Sequence, residues 1–180
     1  TRALDEDSIP IPPFEYAGTD SFGHNLHYDP PHTRRYFEHQ IEFVRNYCLR
    51  NTNGRFYVDF TVGPEAESLA YQLPHQIYYY GDPANYTRGL LTLLRYALIA
   101  CDQQDTIRMG KYDVYIVFHA GCSYQSSYVW GDAPYDILSC SITGLYGFFG
   151  MPVWVDNGTH PITDGIIFPE SDFKYGVPSF

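Results

Sequence analysis

The order of elements predicts an α/β fold built on a twisted mixed sheet with two main helices, and three stretches carry that prediction. Residues 33–51 and 84–104 repeat their apolar side chains with the period of a helix. Val114–His119 is an unbroken apolar and aromatic run bounded by turn residues. A run of that kind predicts a strand covered on both faces, at the centre of a sheet flanked by helices. Short strand candidates follow it, which completes the layered pattern.

Residues 1–32 hold no periodic segment. Asp5, Glu6 and Asp7 are acidic, and Pro10, Pro12, Pro13, Pro30 and Pro31 punctuate the stretch. We expect an extended N-terminal arm, lying over a surface or partly disordered. Such a long opening suggests that the natural protein begins earlier and that residues 33–180 are an incomplete domain. From Thr33 the period turns helical, with Phe37, Ile41, Val44 and Cys48 on one stripe and Arg34, Arg35, Glu38, Glu42, Arg45 and Arg50 elsewhere. Asn53-Gly54 supplies the stop. Arg55–Val62 alternates and predicts a strand with one covered face.

Residues 63–83 form a proline-punctuated loop that contains Tyr78-Tyr79-Tyr80. Asp82-Pro83 suits the cap and first turn of the next helix, whose stripe is Leu90, Leu94, Ala97, Leu98 and Cys101. After the Val114–His119 strand, residues 122–134 are a polar loop and Tyr135–Cys140 is a second strand candidate. Met151–Val155 and Ile162–Phe168 predict a hairpin turned at Asp156-Asn157-Gly158. No repeat or low-complexity tract interrupts the chain.

Composition narrows the function classes. With 44% apolar residues the 180-residue chain holds enough for a sizeable core. It is rich in tyrosine (18) and carries a net charge of −10, with lysine only at 111 and 174. Such a surface gives no electrostatic footprint for nucleic acid or anionic membrane. No apolar stretch approaches the roughly 18–20 residues that span a bilayer. Cys48, Cys101, Cys122 and Cys140 are not spaced as a Cys-x-x-Cys metal or redox motif. They are disulfide candidates (Cys48 with Cys101, Cys122 with Cys140) or small buried hydrophobes. Asn85-Tyr86-Thr87 and Asn157-Gly158-Thr159 match the N-glycosylation pattern, so Asn85 and Asn157 are glycosylation candidates in an acidic, tyrosine-rich glycoprotein. These features favour an extracellular or cell-surface setting.

Four motifs occur in a familiar order: Pro30-Pro-His-Thr-Arg-Arg-Tyr-Phe-Glu38, Asn53-Gly-Arg-Phe56, Leu73-Pro-His-Gln-Ile-Tyr-Tyr-Tyr-Gly81 and Tyr112-Asp-Val-Tyr-Ile-Val-Phe-His-Ala-Gly121. Together they resemble the amino-terminal half of the catalytic domain of the immune inhibitor A family of secreted bacterial metallopeptidases, over roughly residues 28–168. The resemblance implies a zincin-like sheet. It also implies a His-Glu-x-x-His zinc helix in which two histidines bind the metal and the glutamate is the general base. That motif is absent from residues 1–180. In the family it lies downstream, so the resemblance implies zinc only if a segment past Phe180 supplies the ligands.

The expectation is therefore a secreted metallopeptidase-like module that is non-catalytic as it stands. The alternative is a non-enzymatic extracellular binding or assembly protein, such as a surface or filament component. Its partners would be proteins or peptides, or other segments or copies of the same protein. His119 and Gly121 are candidate substrate contacts at the strand end. The plainer role for His119 is to cap that end by bonding a backbone carbonyl. A minor alternative makes His119 and Cys140 a dyad, similar to caspase-like and gingipain-like cysteine peptidases, with the histidine lowering the thiol pKa. The other histidines (24, 27, 32, 39, 75 and 160) are scattered and predict no metal site. No cofactor is expected in this chain, although calcium at Asp5, Glu6 and Asp7 is possible chemistry for a secreted acidic protein. Tyr78–Tyr80 and Tyr124–Trp130 are candidates to line a binding groove or to pack beneath loops.

Overall fold

The computed structural model describes residues 32–65, 70–126 and 135–171, with the backbone of four short strands before them. The side chains of Cys122, Ser126, Tyr146 and Ser171 lie outside that description, as do Asp5–Asp7, His24 and residues 127–134. The early strands β1 (Ala3–Leu4), β2 (Pro10–Ile11), β3 (Tyr16–Thr19) and β4 (Asn25–His27) pair as two antiparallel ladders, β1 with β2 and β3 with β4. The arm thus contains regular pairing that its lack of periodicity concealed.

The first long helix, α1 (Arg34–Asn51), has the expected bounds within a residue. It ends where Asn53 and Gly54 adopt left-handed backbone (φ 51 and 76), and Gly54 N–H donates to the Leu49 carbonyl at 2.8 Å. Residues 55–62, expected as a strand, have no regular secondary structure; Arg45 instead stands over the rings of Tyr57 and Phe60. The loop that follows contains a one-turn helix, α2 (Ile77–Tyr80). The second long helix, α3 (Tyr86–Gln104), is the core element and buries Leu90, Leu91, Leu93, Leu94, Ala97 and Leu98. Asp82 does not cap it as expected. The carboxylate instead accepts from Ala84 N–H and the Asn85 amide, closing the preceding turn, and Asn85 is the N-cap.

The sheet is mixed, and its order corrects one expectation. Strand β5 (Ile116–Cys122) runs parallel to β9 (Gly165–Ser171), and β6 (Cys140–Ile142) runs antiparallel to β9 on the other side. The central strand is therefore β9. Val114 is exposed and precedes β5, while Gly165, Ile167 and Pro169 of β9 are buried. Pro169 is tolerated because the β6 ladder ends at the Cys140–Ile167 pair, before the proline. One sheet face presents Phe118 and Phe168 towards α1, where the Phe37 and Phe118 ring centroids are 4.8 Å apart. The other face presents Val117 and Ile167 to α3, and Gly165 leaves the space that Leu94 fills.

A hairpin turns where expected, between β7 (Val153–Val155) and β8 (His160–Ile162), but its second arm is not the expected Ile162–Phe168: β8 stops at Ile162 and the chain re-enters the main sheet as β9. Its turn places Asp156, Asn157 and Gly158 at φ 52, 59 and 76. The Asp156 carboxylate caps the turn at Met109–Lys111, accepting from the N–H groups of Met109 (3.1 Å) and Gly110 (2.6 Å). Between β6 and β7 lies a short helix, α4 (Leu145–Phe149).

Candidate functional site

At the carboxyl end of β5, His119 is only 7% exposed. Its Nδ1 lies 3.0 Å from the Ala120 carbonyl, and a carbonyl only accepts, so Nδ1 carries the proton and Nε2 is left as a bare, buried acceptor. Burial pushes the His119 pKa below the ordinary 6.5, against the opposing pull of the Ala120 contact, Glu170 and Asp136. The geometry is that of the strand-end role. Beside it, Glu170 accepts from Gly121 N–H at 2.8 Å and meets His32 Nδ1 at 3.0 Å. Gly121 adopts φ +92, which a side chain would oppose.

The dyad is not assembled. His119 pairs with Pro169 and Cys140 with Ile167, so β9 lies between their strands, and no hydrogen bond joins them. Burial raises the Cys140 pKa, the wrong direction for a nucleophile. The proposed disulfides are absent too: Cys48, Cys101 and Cys140 are free thiols, and Cys101 Sγ accepts instead from the Tyr71 hydroxyl at 3.4 Å. Among the described residues no group of three His, Cys, Asp or Glu side chains is placed to hold a metal. Three of the described histidines are engaged elsewhere: His32 with Glu170, His160 Nε2 with the Tyr115 hydroxyl, and His75 stacked on Tyr79.

A groove along α3 offers more. Two adjoining cavities share Tyr79 and Arg88. The larger, about 500 Å³, is lined by Tyr78, Asp82, Asn85, Gly89 and Tyr135 as well. The smaller, about 290 Å³, adds Thr92, Arg95, Tyr96, Ile99 and Phe149. Positions 85, 88, 89, 92, 95, 96 and 99 recur at three- and four-residue steps, so one stripe of α3 floors both cavities. At 1.5 Å per residue, that floor is about 21 Å long.

Two glycines let the walls come together. A Cβ at Gly89 would overlap the Tyr80 carbonyl, so glycine here allows α2 to sit directly on α3. A Cβ at Gly81 would overlap the Tyr135 carbonyl, so glycine there admits the segment that carries Tyr135, which was expected to begin a strand but is a turn, the strand starting only at Cys140. The Tyr86 hydroxyl donates to the Asp136 carbonyl at 3.0 Å and pins that segment; burial pushes the Tyr86 pKa up to about 12. Tyr80 is buried as a support, while Tyr78 and Tyr79 are 56% and 39% exposed and face the groove.

Of the aromatic stretches singled out in the sequence, Tyr78 and Tyr79 line the groove and Tyr80 packs. Tyr124 contacts Tyr86, and residues 127–130 lie outside the described residues. Arg88, Arg95, Tyr96, Tyr135 and Phe149 were not anticipated. The signal for the two arginines was their seven-residue spacing on one helix of a cation-poor chain. Asn85 and Asn157, the glycosylation candidates, are both exposed, and Asn85 stands at the larger cavity. No protein-family model, curated protein or solved structure matches this chain.

Proposed function

We propose that the chain is a secreted, metallopeptidase-like module with a zincin-like sheet, which binds a protein or peptide segment and does not itself cut it. The observation that carries this reading is the aromatic groove along α3, with Tyr78, Tyr79 and Tyr135 presented on a floor about 21 Å long. Tyrosine offers a large contact area, little rotamer entropy to lose and a polar tip. A long open groove lined this way suits an extended peptide better than an enclosed small molecule. Two observations support the non-cutting role: the zinc motif is absent from residues 1–180, and β9 lies between the strands of His119 and Cys140. The exposed sequon at Asn157, away from the groove, supports an extracellular setting.

The test is a fluorescence-anisotropy screen of labelled extended hexapeptides, followed by mass spectrometry of each ligand after incubation. The expected result is saturable binding, lost in Tyr79→Ala and Tyr135→Ala, with every peptide recovered intact. Zinc-dependent cleavage by the purified chain, or binding indifferent to both substitutions, would overturn the reading.

A further inference from the structure

We infer that the groove selects an acidic peptide in the polyproline II conformation, with two carboxylates three residues apart that pair with Arg88 and Arg95. This rests on the peptide-binding reading above and names its ligand. Arg88 and Arg95 lie seven residues apart on α3, two turns along one face, and both line the smaller cavity. Their backbone positions are about 10.5 Å apart along the helix axis. The guanidinium of Arg95 stands 4.8 Å over the Phe149 ring, which holds it in place. Arg88 is exposed, and among the described residues no carboxylate pairs with it. Asp82, the acidic group in the lining, already accepts from Ala84 N–H and the Asn85 amide.

The charge still seeking a partner in this groove is therefore positive, although the chain as a whole carries 21 acidic and 11 basic residues. The spacing then selects the ligand's conformation. In a β-strand, side chains on one edge recur every second residue, at about 6.6 and 13 Å, which straddles the arginine separation. In polyproline II, residues i and i+3 share an edge about 9.3 Å apart, within a guanidinium's reach of both arginines. Grooves lined by aromatic side chains are a recurrent seat for such helices, with prolines lying between the rings. Tyr78, Tyr79, Tyr96, Tyr135 and Phe149 supply those rings here.

The experiment compares three blocked peptides by calorimetric titration against the whole chain: Pro-Glu-Pro-Pro-Glu-Pro, its Gln-for-Glu counterpart, and Pro-Glu-Glu-Pro-Pro-Pro. At low salt the first should bind about tenfold more tightly than the Gln peptide, the order expected of two partly exposed ion pairs. That advantage should shrink as salt is raised. R88Q and R95Q should each weaken the first peptide about threefold more than they weaken the Gln peptide. Arg88 is exposed, so R88Q tests charge even if R95Q disturbs Phe149. Equal affinity for the Glu and Gln peptides, or for the two Glu spacings, overturns the acidic polyproline ligand while leaving peptide binding intact. Failure of all three peptides, while hexapeptides in the anisotropy screen still bind, overturns the polyproline ligand and leaves peptide binding standing.

Discussion

Two helical glycines make opposite predictions for the same substitution. Gly89→Ala and Gly147→Ala each gain helix propensity, about 1 kcal/mol from the lost freedom of the unfolded chain. At Gly147, in α4, no heavy atom lies within 4 Å of the new methyl group, so the gain should survive. At Gly89 the methyl group would overlap the Tyr80 carbonyl, a backbone atom that cannot swing aside. Overpacking against such an atom costs about 3 kcal/mol, which exceeds the propensity gain and leaves Gly89→Ala about 2 kcal/mol less stable. For a chain of this size, that is a fall of about 4–8 °C in Tm, against a rise of about 2–4 °C for Gly147→Ala. Thermal melts followed by circular dichroism would read both. Peptide binding should weaken only in Gly89→Ala, because α2 must shift and carry Tyr79 with it. A Gly89→Ala protein as stable as Gly147→Ala would refute the close seating of α2 on α3, and the groove with it.

Three further outcomes follow from the hydrogen-bonding and titrating groups. Asp156→Ala loses two charge-assisted caps and places alanine at positive φ, so urea unfolding should show a loss of about 3 kcal/mol. Asp156→Asn, which tolerates that backbone and keeps one acceptor, should lose about 1 kcal/mol, and equal losses in the two would discount the backbone term. His119 has a folded pKa below the unfolded 6.5, so below that pH the unfolded chain binds more protons and stability is lost as pH falls. His119→Gln should flatten this dependence as pH falls below about 6.5, and an unchanged slope in urea midpoints would show that another group is responsible. Any peptidase activity found in a preparation should persist in Cys140→Ala; its loss would restore the dyad.

The helices were the most legible part of the sequence because their stripes are long. Leu90, Leu94, Ala97 and Leu98 recur at the helical period, and all four are buried. The central strand was not legible, for a physical reason. A short apolar run marks a covered strand but does not say which strand has neighbours on both sides. β9 is central yet carries Gly165, Pro169 and Glu170, residues that ordinarily argue for an edge. Residues 55–62 alternate as a strand should, but tertiary contacts to Arg45 prevail over the pattern. The groove was half legible. The tyrosine run at 78–80 was visible, whereas the approach of Tyr135 to Gly81 joins residues 54 positions apart, and no local pattern encodes that.

The position of β9 has a consequence for how the chain is made. Neither β5 nor β6 has a partner in the main sheet until residues 165–171 arrive to lie between them. During synthesis α1, α3 and the β7–β8 hairpin can all have emerged while Ile116–Cys122 still offers both of its edges to any passing strand. Long-range parallel pairing is slow to form, and unpaired edges invite association with other chains. A chain cut short just before Gly165 would therefore keep its apolar sheet face open and should lean on chaperones more than the chain that includes β9.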